Sequence, residues 1–270
     1  MGDLAEALLS LQALTERLRR DCPWDREQTA RTIVPHTVEE AYEVADAALA
    51  GDDAKLLDEL GDLLFQTYFL ALLLQERGAG SLEDVARLVH EKLVRRHPHV
   101  FGEVEARTAE RVRSNWERIK VEQEGREGIF HDVPDGLPAL LRARKVQKRA
   151  ASIGFEYPGV LGAYGDLREE IGELGEELAR THGLGAAARE RETEPDRRTF
   201  DELGDLLLAT VNVARMLDVD PELALRASTD RFRTRVERAA ELAAAAGDDF
   251  TRLTLEAQDR YFDQAKTEED

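Results

Sequence analysis

Cysteine and aromatic residues are scarce in this chain of 270 residues, which contains one cysteine and is 6% aromatic. The single cysteine, Cys22, permits no intramolecular disulfide, and no charged-then-apolar signal segment occupies residues 1–10. The most apolar stretch, residues 63–74, includes Gln66 and Thr67 and is too short and too polar to span a bilayer. We therefore expect a cytoplasmic protein with no membrane partner.

Positive charge and nucleotide-binding glycine motifs are also lacking. The 37 Lys and Arg residues stand against 56 Asp and Glu residues, which gives a formal net charge of −19. Nucleic-acid polymers and anionic membranes are bound through basic surfaces, so we expect neither as a partner. No Gly-Lys dipeptide is present, and the Gly-x-Gly pairs at 78–80 and 183–185 lack a third glycine, which excludes P-loop and Rossmann motifs.

Alanine and leucine dominate the composition and predict an all-α fold. The 36 Ala and 37 Leu residues far outnumber 5 Ile and 17 Val, and β-branched residues lose rotamer freedom in helices. A capping box is predicted at 37–40, a helix end at Gly51, and helix starts at Ser81 and Asp220. No alternating apolar run is long enough to predict a sheet.

Two domains are predicted from a break in the helical pattern. Residues 123–136 contain three glycines and one proline and have little periodic apolar content. We predict an N-terminal domain at 1–122, a linker at 123–136 and a C-terminal domain at 137–270.

The two halves repeat one acidic pattern. The seven residues 58–64 recur in the same order at 201–207. Upstream of each run lies a Glu-Glu-x-x-Glu segment, at 39–43 and at 169–173. Downstream of each run lies a basic pair with i, i+4 spacing. Lys92 and Arg96 form the first pair, and Arg231 and Arg235 form the second. An ordered repeat of this kind indicates two copies of one functional unit.

A turn at Gly51 would bring the carboxylates of the first half together. Glu43 and Glu59 each lie eight residues from Gly51, and Glu40 and Asp62 each lie eleven residues from it. Because an α-helix rises about 1.5 Å per residue, the members of each pair lie at matching heights on two antiparallel helices. Residues three apart share a helix face, so four carboxylates would converge between the helices.

Converging carboxylates repel one another unless a cation lies between them. All-oxygen ligation favours Mg²⁺, with Mn²⁺ as the alternative, and carboxylate-bound Mg²⁺ commonly completes its shell with phosphate oxygens. The pattern therefore predicts a metal site for a phosphorylated substrate, with the four basic residues above as candidate phosphate ligands. The competing interpretation places the acidic residues on solvated helix faces and the basic pairs near helix ends.

The acidic pattern resembles the signature of MazG nucleoside triphosphate pyrophosphohydrolases. The segments Glu39-Glu40-x-x-Glu43 and Glu59-x-x-Asp62 match its Glu-Glu-x-x-Glu and Glu-x-x-Asp motifs. Further segments resemble full-length bacterial MazG with two repeats, and they lie at 22–29, 95–101 and 145–155. The resemblance extends over nearly the whole chain.

The resemblance implies tandem all-α MazG helical-bundle domains, a homodimer, and hydrolysis of nucleoside triphosphates to monophosphates and pyrophosphate. It implies two sets of Mg²⁺ ligands, which are Glu40, Glu43, Glu59 and Asp62, and Glu170, Glu173, Glu202 and Asp205. Glu39 and Glu169, which adjoin these sets, would orient or deprotonate the attacking water. The basic residues that would accompany the second set are Lys145, Lys148, Arg198, Arg231 and Arg235.

Some positions depart from the family pattern. Arg198 and Arg231 stand where relatives tend to have lysine, and Tyr261 and Phe262 fall where a tryptophan is expected. The two acidic segments are 28 residues apart in the second repeat and 15 in the first, so additional loop residues are expected around 185–198. Trp24 is expected to pack in the core rather than stack on a base.

Two rival functions stay open. One is a non-catalytic acidic helical module that binds a protein partner, and it differs from an enzyme in showing no metal-dependent product formation. The other is a dUTPase-like or dCTPase-like all-α pyrophosphatase of narrow specificity, which a panel of nucleoside triphosphates would separate from an enzyme with broad base tolerance. The two-repeat layout favours broad base tolerance.

Overall fold

The computed structural model describes residues 2–102, 108, 128–131, 133–182 and 196–269. Every regular element in these ranges is helical, which confirms the predicted all-α fold. The chain divides into two compact units, a first unit at 1–126 and a second unit at 127–270. Residues 123–127 and 132 of the predicted linker lie outside the described residues, and the predicted domain boundaries stay a prediction. None of the described helices has the length and apolar character needed to cross a membrane.

The first unit contains two long central helices, α3 and α4, with shorter helices around them. The helices of this unit are α1 (Gly2–Asp21), α2 (Pro23–Glu27), α3 (Ala30–Ala50), α4 (Asp53–Glu76), α5 (Leu82–Arg96) and α6 (Pro98–Phe101). Helices α3 and α4 pack along each other, and α1 contacts α4.

The second unit repeats the central pair as α8 and α9. Its helices are α7 (Ala139–Ser152), α8 (Val160–His182), α9 (Arg197–Met216), α10 (Pro221–Ala245) and α11 (Leu255–Glu269), with a 3-10 turn at Phe250–Arg252. Helix α7 packs on α9, and α10 packs on α11.

Local capping explains where most of these helices begin and end. Ser81 and Asp84 form the reciprocal capping box of α5, and the carboxylate of Asp220 accepts from the first amides of α10, as predicted. Gly51 ends α3 in the left-handed conformation with φ of 68°, which a residue with a Cβ rarely adopts. The prediction of a capping box at 37–40 is wrong.

Thr37 lies inside α3, where its hydroxyl donates to the carbonyl of Ile33. The helix begins earlier because Thr29 and Thr32 form the reciprocal capping box in its place. Pro35 lies within the helix and removes one backbone donor, so the start of α3 depends on packing as well as capping. Ile33, on the preceding turn, is 3% exposed and supplies that packing.

The cores of the two units differ in the size of their buried side chains. In the first unit, Ile33, Phe69 and Leu73 form an apolar cluster against which Phe65 packs. In the second unit the buried residues at helix contacts are mostly small, and they are Ala163, Ala209, Val211, Ala239, Ala243 and Ala265.

Arg19 ties three segments of the first unit together. Its Nε and Nη2 atoms donate to the two carboxylate oxygens of Glu76 on α4, each at 2.8 Å. Its Nη1 atom donates to the carbonyl of Asp25 in α2 and to that of Gln28 between α2 and α3. This guanidinium therefore positions the segment that leads into the first acidic helix.

Candidate metal centres

The first acidic cluster lies between α3 and α4. Ligand atoms of Glu40, Glu43 and Glu59 all lie within 4.8 Å of one another. The turn at Gly51 produces this arrangement, because Glu43 and Glu59 are equally distant from it along the two helices. Mg²⁺ binds oxygens at about 2.0–2.1 Å, so its ligand oxygens lie about 4 Å apart or less, and this set fits such an ion after small side-chain movements.

Burial and mutual repulsion raise the pKa of two carboxyl groups in this cluster. Burial raises the pKa of Glu40, and the charges of Asp62 and Glu43 raise it further. Burial also raises the pKa of Glu59, followed by the charge of Glu43 and a hydrogen bond between the two carboxyl groups. Both shifts have the sign expected of carboxylates that a cation would stabilise.

A second cluster lies between α8 and α9. Ligand atoms of Glu170, Glu173 and Glu202 lie within 4.8 Å of one another. Burial raises the pKa of Glu170, as do the charges of Glu173 and Asp205. The pKa of Glu202 is raised by the same causes, burial first and then the charges of Glu173 and Asp205. The two units therefore repeat the geometry as well as the sequence.

Asp62 and Asp205 lie at the edge of their clusters. Neither belongs to the set of three carboxylates within 4.8 Å. Each is nevertheless close enough for its charge to raise the pKa of the first glutamate of its cluster, Glu40 or Glu170. The predicted fourth ligand is thus adjacent to each set.

Glu39 and Glu169 have different charged or polar neighbours. The carboxylate of Glu39 lies 3.7 Å from Nδ1 of His36, on the preceding turn of α3. Glu169 contributes to the negative potential around Tyr157, whose pKa is raised first by a hydrogen bond with Asp166. The residue four positions before the first cluster glutamate is His36 in the first unit and Asp166 in the second. An aromatic residue contacts each of them. Trp24 contacts His36, with ring centroids 6.1 Å apart, and Tyr157 contacts Asp166.

Trp24 does not pack in the core as expected, because it is 53% exposed. Its ring contacts the His36 ring edge-on, beside the acidic helix. At the other end of the chain, the Tyr261 hydroxyl donates to Asp248 at 2.7 Å, and Phe262 packs against Phe232 with centroids 5.7 Å apart.

The predicted phosphate ligands lie on helix surfaces. Lys92, Lys148, Arg198 and Arg231 are exposed, whereas Lys145, Arg96 and Arg235 are half-buried. Arg198 lies in the first turn of α9 rather than in the expected loop, and residues 183–195 of that loop are outside the described residues. Contact of the seven predicted phosphate ligands with phosphate stays a prediction.

Other charged residues reach the clusters and were missed from the sequence. Lys55 Nζ lies 3.9 Å from Glu59 Oε1 in the first unit, and the i, i+4 spacing of the pair could have indicated it. In the second unit, Glu177 is 7% exposed, pairs with Arg180 and adds to the negative potential at Glu202. Arg180 also lies 3.4 Å from Asp196, the N-cap of α9.

A cavity of about 510 Å³ adjoins the second cluster. Glu170 and Asp205 lie at its acidic side. The remaining lining comes from α7, the segment that follows it, α8 and α9, and it includes Gln147, Phe155, Tyr157, Asp166, Asn212 and Arg215. None of these six residues was predicted as a site residue, although two of them, Gln147 and Phe155, belong to segments that carry the family resemblance.

The fold and the two acidic clusters define a class of all-α proteins in which each of two repeated helix pairs carries a cluster of carboxylates. Comparison with known proteins identifies the class more closely. The model of the MazG nucleotide pyrophosphohydrolase domain matches residues 28–101. A nucleoside triphosphate pyrophosphohydrolase from Escherichia coli K12 is 40% identical over 266 residues, which cover 96% of this chain and 97% of that protein.

A relative from Thermotoga maritima, described as a nucleoside triphosphate pyrophosphohydrolase/pyrophosphatase MazG, is 36% identical over 98% of this chain and 96% of its own length. The crystal structure of a MazG-related protein from the same organism covers 42% of this chain and 98% of its own, with 30% identity and a TM-score of 0.38. The chain belongs to the MazG family of nucleoside triphosphate pyrophosphohydrolases.

Proposed function

We propose that this protein is a Mg²⁺-dependent nucleoside triphosphate pyrophosphohydrolase with broad base tolerance, Mn²⁺ being an alternative ion. The observation that supports this most strongly is the carboxylate cluster in each repeated helix pair. Similarity over the full chain length to enzymes of that name adds independent support.

The proposed metal ligands are the two acidic sets, Glu40, Glu43, Glu59 and Asp62, and Glu170, Glu173, Glu202 and Asp205. Three members of each set have their ligand atoms within 4.8 Å, and burial raises the pKa of several of them, so a divalent cation would relieve their repulsion. When bound, the ion supplies charge neutralisation to phosphate oxygens and lowers the pKa of a water molecule.

The protein's own residues have two further tasks in this proposal. Glu39 and Glu169, which adjoin the clusters, would hold the attacking water and accept its proton. The basic residues would bind the phosphate chain and stabilise the departing pyrophosphate, and they are Lys92, Arg96, Lys145, Lys148, Arg198, Arg231 and Arg235.

Homodimer formation is part of the proposal, and exposed apolar stripes support it. In the first unit the stripe consists of Leu57, Leu60 and Leu64, which are 75%, 48% and 38% exposed. The same positions of the repeat in the second unit are Phe200, Leu203 and Leu207, which are 67%, 47% and 49% exposed. Large apolar side chains at i, i+3 and i+7 on two helices are typical of helices that pack against a partner. A cytoplasmic location remains our expectation.

The test is a panel of ribo- and deoxyribonucleoside triphosphates incubated with the full chain, with and without Mg²⁺, followed by chromatography of the products. We expect monophosphate and pyrophosphate from several bases, and no product when a chelator is present. Diphosphate and phosphate as products, or turnover of one deoxynucleotide alone, would contradict the proposal or its broad specificity.

Single-residue variants test whether the two carboxylate clusters are required for hydrolysis. Glu202→Ala and Glu59→Ala each remove one carboxylate, and the variant of the active unit should lower kcat/KM at least about 100-fold, since changes to residues that only support metal ligands cost up to that factor. Asp201→Asn and Asp58→Asn, the preceding residues in the same motifs, are matched controls and should retain activity. Unchanged pyrophosphate release in both alanine variants would exclude the clusters from catalysis.

A further inference from the structure

The connection between the two cluster helices differs in length between the units. In the first unit, Gly51 and Asp52 alone join α3 to α4. In the second unit, 28 residues separate Glu173 from Glu202, whereas 15 separate the corresponding glutamates of the first unit. A tight turn fixes the register of the helices that it joins, and a longer connection restrains its ends less. In both clusters three carboxylates have ligand atoms within 4.8 Å of one another, so another feature has to fix the register of α8 and α9.

A network of charged side chains joins α8 to the first turn of α9. The Nε atom of Arg180 donates to Oε2 of Glu177 at 2.9 Å, and its Nη2 atom donates to the other oxygen of the same carboxylate. The same Nη2 atom donates to Oδ2 of Asp196 at 3.4 Å, and that oxygen also accepts from the backbone amide of Thr199 at 3.3 Å. Because Asp196 is the N-cap of α9, the guanidinium holds the start of α9 against α8.

This network lies about one helical turn from the second cluster. Glu177 follows Glu173 by four residues on α8, and Asp196 precedes Glu202 by six residues. The pKa of Glu202 is raised first by burial, and the charge of Glu177 is among those that raise it further. A displacement of α9 by one turn would move Glu202 about 5.4 Å along α8 and away from Glu173. The network therefore acts where the register decides whether the cluster forms.

The first unit has a small apolar residue at the position of the buried glutamate. Counted from the shared acidic motifs, Ala47 corresponds to Glu177, and the two residues are 1% and 7% exposed. A buried ion pair is weak evidence for stability, because apolar residues of similar volume often stabilise as well, and its best attested use is to fix the register of helices. The buried carboxylate is thus better explained by positioning than by stability.

We propose that Arg180 is a positioning residue, which through Glu177 and Asp196 sets the register of α8 and α9 and so brings Glu202 to the other carboxylates of the second cluster. In the first unit the turn at Gly51 has this task. Arg180 acts through Glu202 and is not itself a proposed ligand of metal or phosphate. The consequence for metal affinity rests on the proposed function, whereas the register can be measured without metal.

The first experiment measures the register in the absence of metal. Nitroxide labels replace Leu161 near the start of α8 and Arg197 at the start of α9, in a Cys22→Ser background, and pulsed electron paramagnetic resonance measures the distance between them. Both positions are suitable for labels, since Leu161 is 81% exposed and the Arg197 side chain is 94% exposed. Arg180→Gln should shift or broaden this distance by about 5 Å, which is one helical turn. Arg180→Lys keeps the positive charge and should restore most of the original distance.

The matched control is an interhelical ion pair elsewhere in the second unit. Arg238 of α10 pairs with Glu268 of α11 at 2.8 Å, and its side chain is 46% exposed, compared with 52% for Arg180. Arg238→Gln therefore removes a similar contact far along the chain from the cluster. It should leave the label distance unchanged.

The second experiment measures the affinity of the second cluster for Mn²⁺. Titration uses the full chain with Glu59→Ala, which weakens the first cluster, and the resonance of free Mn²⁺ reports binding. Arg180→Gln should raise the dissociation constant about tenfold, since residues that orient metal ligands typically contribute 10- to 100-fold to affinity. Arg238→Gln should leave it within about twofold, because it supports no proposed ligand.

A shortened connection tests the reason for the network. Replacement of residues 181–195 by Gly-Asp, the dipeptide that joins α3 to α4, gives the second unit the 15-residue spacing of the first. In this protein Arg180→Gln should change the Mn²⁺ dissociation constant by less than about twofold, because the short turn then fixes the register.

Two results would overturn the inference. One is a label distance that Arg180→Gln leaves unchanged, and the other is an equal loss of Mn²⁺ affinity from Arg180→Gln in the full-length and shortened proteins. If the unmodified protein binds no Mn²⁺, the proposed metal dependence fails, and the label distance alone decides whether Arg180 sets the register. The label distance also decides if the shortened protein does not fold.

Discussion

The carboxyl groups of Glu43 and Glu59, on consecutive helices, have oxygen atoms within 4.8 Å of each other. Burial and the charge of Glu43 raise the pKa of Glu59, so Glu59 holds its proton to a higher pH than an exposed glutamate does. A divalent cation binds the ionised form of Glu59, so any proton on that carboxyl group has to leave first. Metal binding and proton release are therefore linked at this site.

Mg²⁺ should stabilise the protein more at pH 7.5 than at pH 5. A carboxyl group whose pKa is raised in the folded state contributes stability below its unfolded pKa of about 4.3, and this contribution is lost as the pH rises through the folded pKa. At pH 7.5 the clusters carry more negative charge than at pH 5 and repel more strongly, and Mg²⁺ at about 100 times its dissociation constant would add about 2.7 kcal/mol. Thermal unfolding with Mg²⁺ or with chelator at both pH values measures the difference.

A variant and a control refine this prediction. Glu59→Gln should unfold at a higher temperature than the unmodified protein in chelator at pH 7.5, because it removes one buried charge from the cluster, and it should gain less from Mg²⁺. Asp58→Asn, at the neighbouring exposed position, should respond to Mg²⁺ like the unmodified protein. An identical Mg²⁺ response in all three proteins would show that the first cluster is not the site of stabilisation.

The ion pair between Arg19 and Glu76 should make the stability of the first unit depend on pH in the opposite sense. The hydrogen bonds from Arg19 lower the pKa of Glu76 in the folded state. The stability that this ion pair contributes is therefore present above the unfolded-state pKa of Glu76 and is lost as the pH falls through its folded-state pKa. Because the Glu76 side chain is 39% exposed, solvent screening limits its contribution, and Glu76→Gln should cost about 0.5–1 kcal/mol at pH 7.

Urea unfolding at pH 7 and pH 3 measures this difference, which should shrink at the lower pH. Arg17→Gln is the control, since Arg17 and Asp21 form an exposed pair at 3.5 Å and exposed pairs contribute little. A loss of stability in Glu76→Gln that is equal at both pH values would indicate lost packing instead of a lost ion pair.

Two glycines of α8 should respond differently to alanine. A Cβ at Gly165 would meet no atom within 4 Å, so Gly165→Ala should stabilise the second unit by about 0.5–1 kcal/mol through helix propensity. A Cβ at Gly162 would lie 3.0 Å from Cδ1 of Tyr157, so the ring must shift and the same gain is not expected. Chemical unfolding of both variants tests this, and equal gains would show that Tyr157 moves at no cost.

The exposed stripe on α9 should be required for the proposed homodimer. Leu203 is 47% exposed at the centre of the stripe, so Leu203→Glu introduces a charge that would be buried in an interface. We expect the variant to sediment as a monomer at concentrations at which the unmodified protein is dimeric. Leu255→Glu, at a residue that is 72% exposed outside the stripe, should leave the sedimentation unchanged. If both variants stay dimeric, another surface forms the dimer.

The arrangement of the first cluster could be predicted because it depends on the number of residues between each glutamate and the turn. The left-handed turn at Gly51 fixes the register, and a constant rise per residue then pairs Glu43 with Glu59. Side-chain direction is not fixed by such counting, and Asp62 accordingly lies outside the tight set of three carboxylates.

Other features depend on contacts that a single segment does not determine. The capping box was predicted at 37–40 because Thr37 and Glu40 have the spacing of that motif, whereas capping by Thr29 and packing of Ile33 start α3 earlier and extend it through Pro35. The cavity could not be predicted either, because it requires small residues on one helix to face open space left by others. No local pattern distinguishes Ala209 in such a place from an ordinary core alanine.

Counted from the shared acidic motif, the buried Phe69 of the first unit stands at the position of Asn212, which lines the cavity of the second unit. This difference has a consequence for how a tandem chain distributes its folding free energy. A cavity lowers the stability of the unit that contains it, because side chains at its wall lose packing partners. A chain with one helix pair would bear that loss in its only core. Duplication allows the loss to fall on one copy, while the copy that carries Phe69 keeps a filled interior.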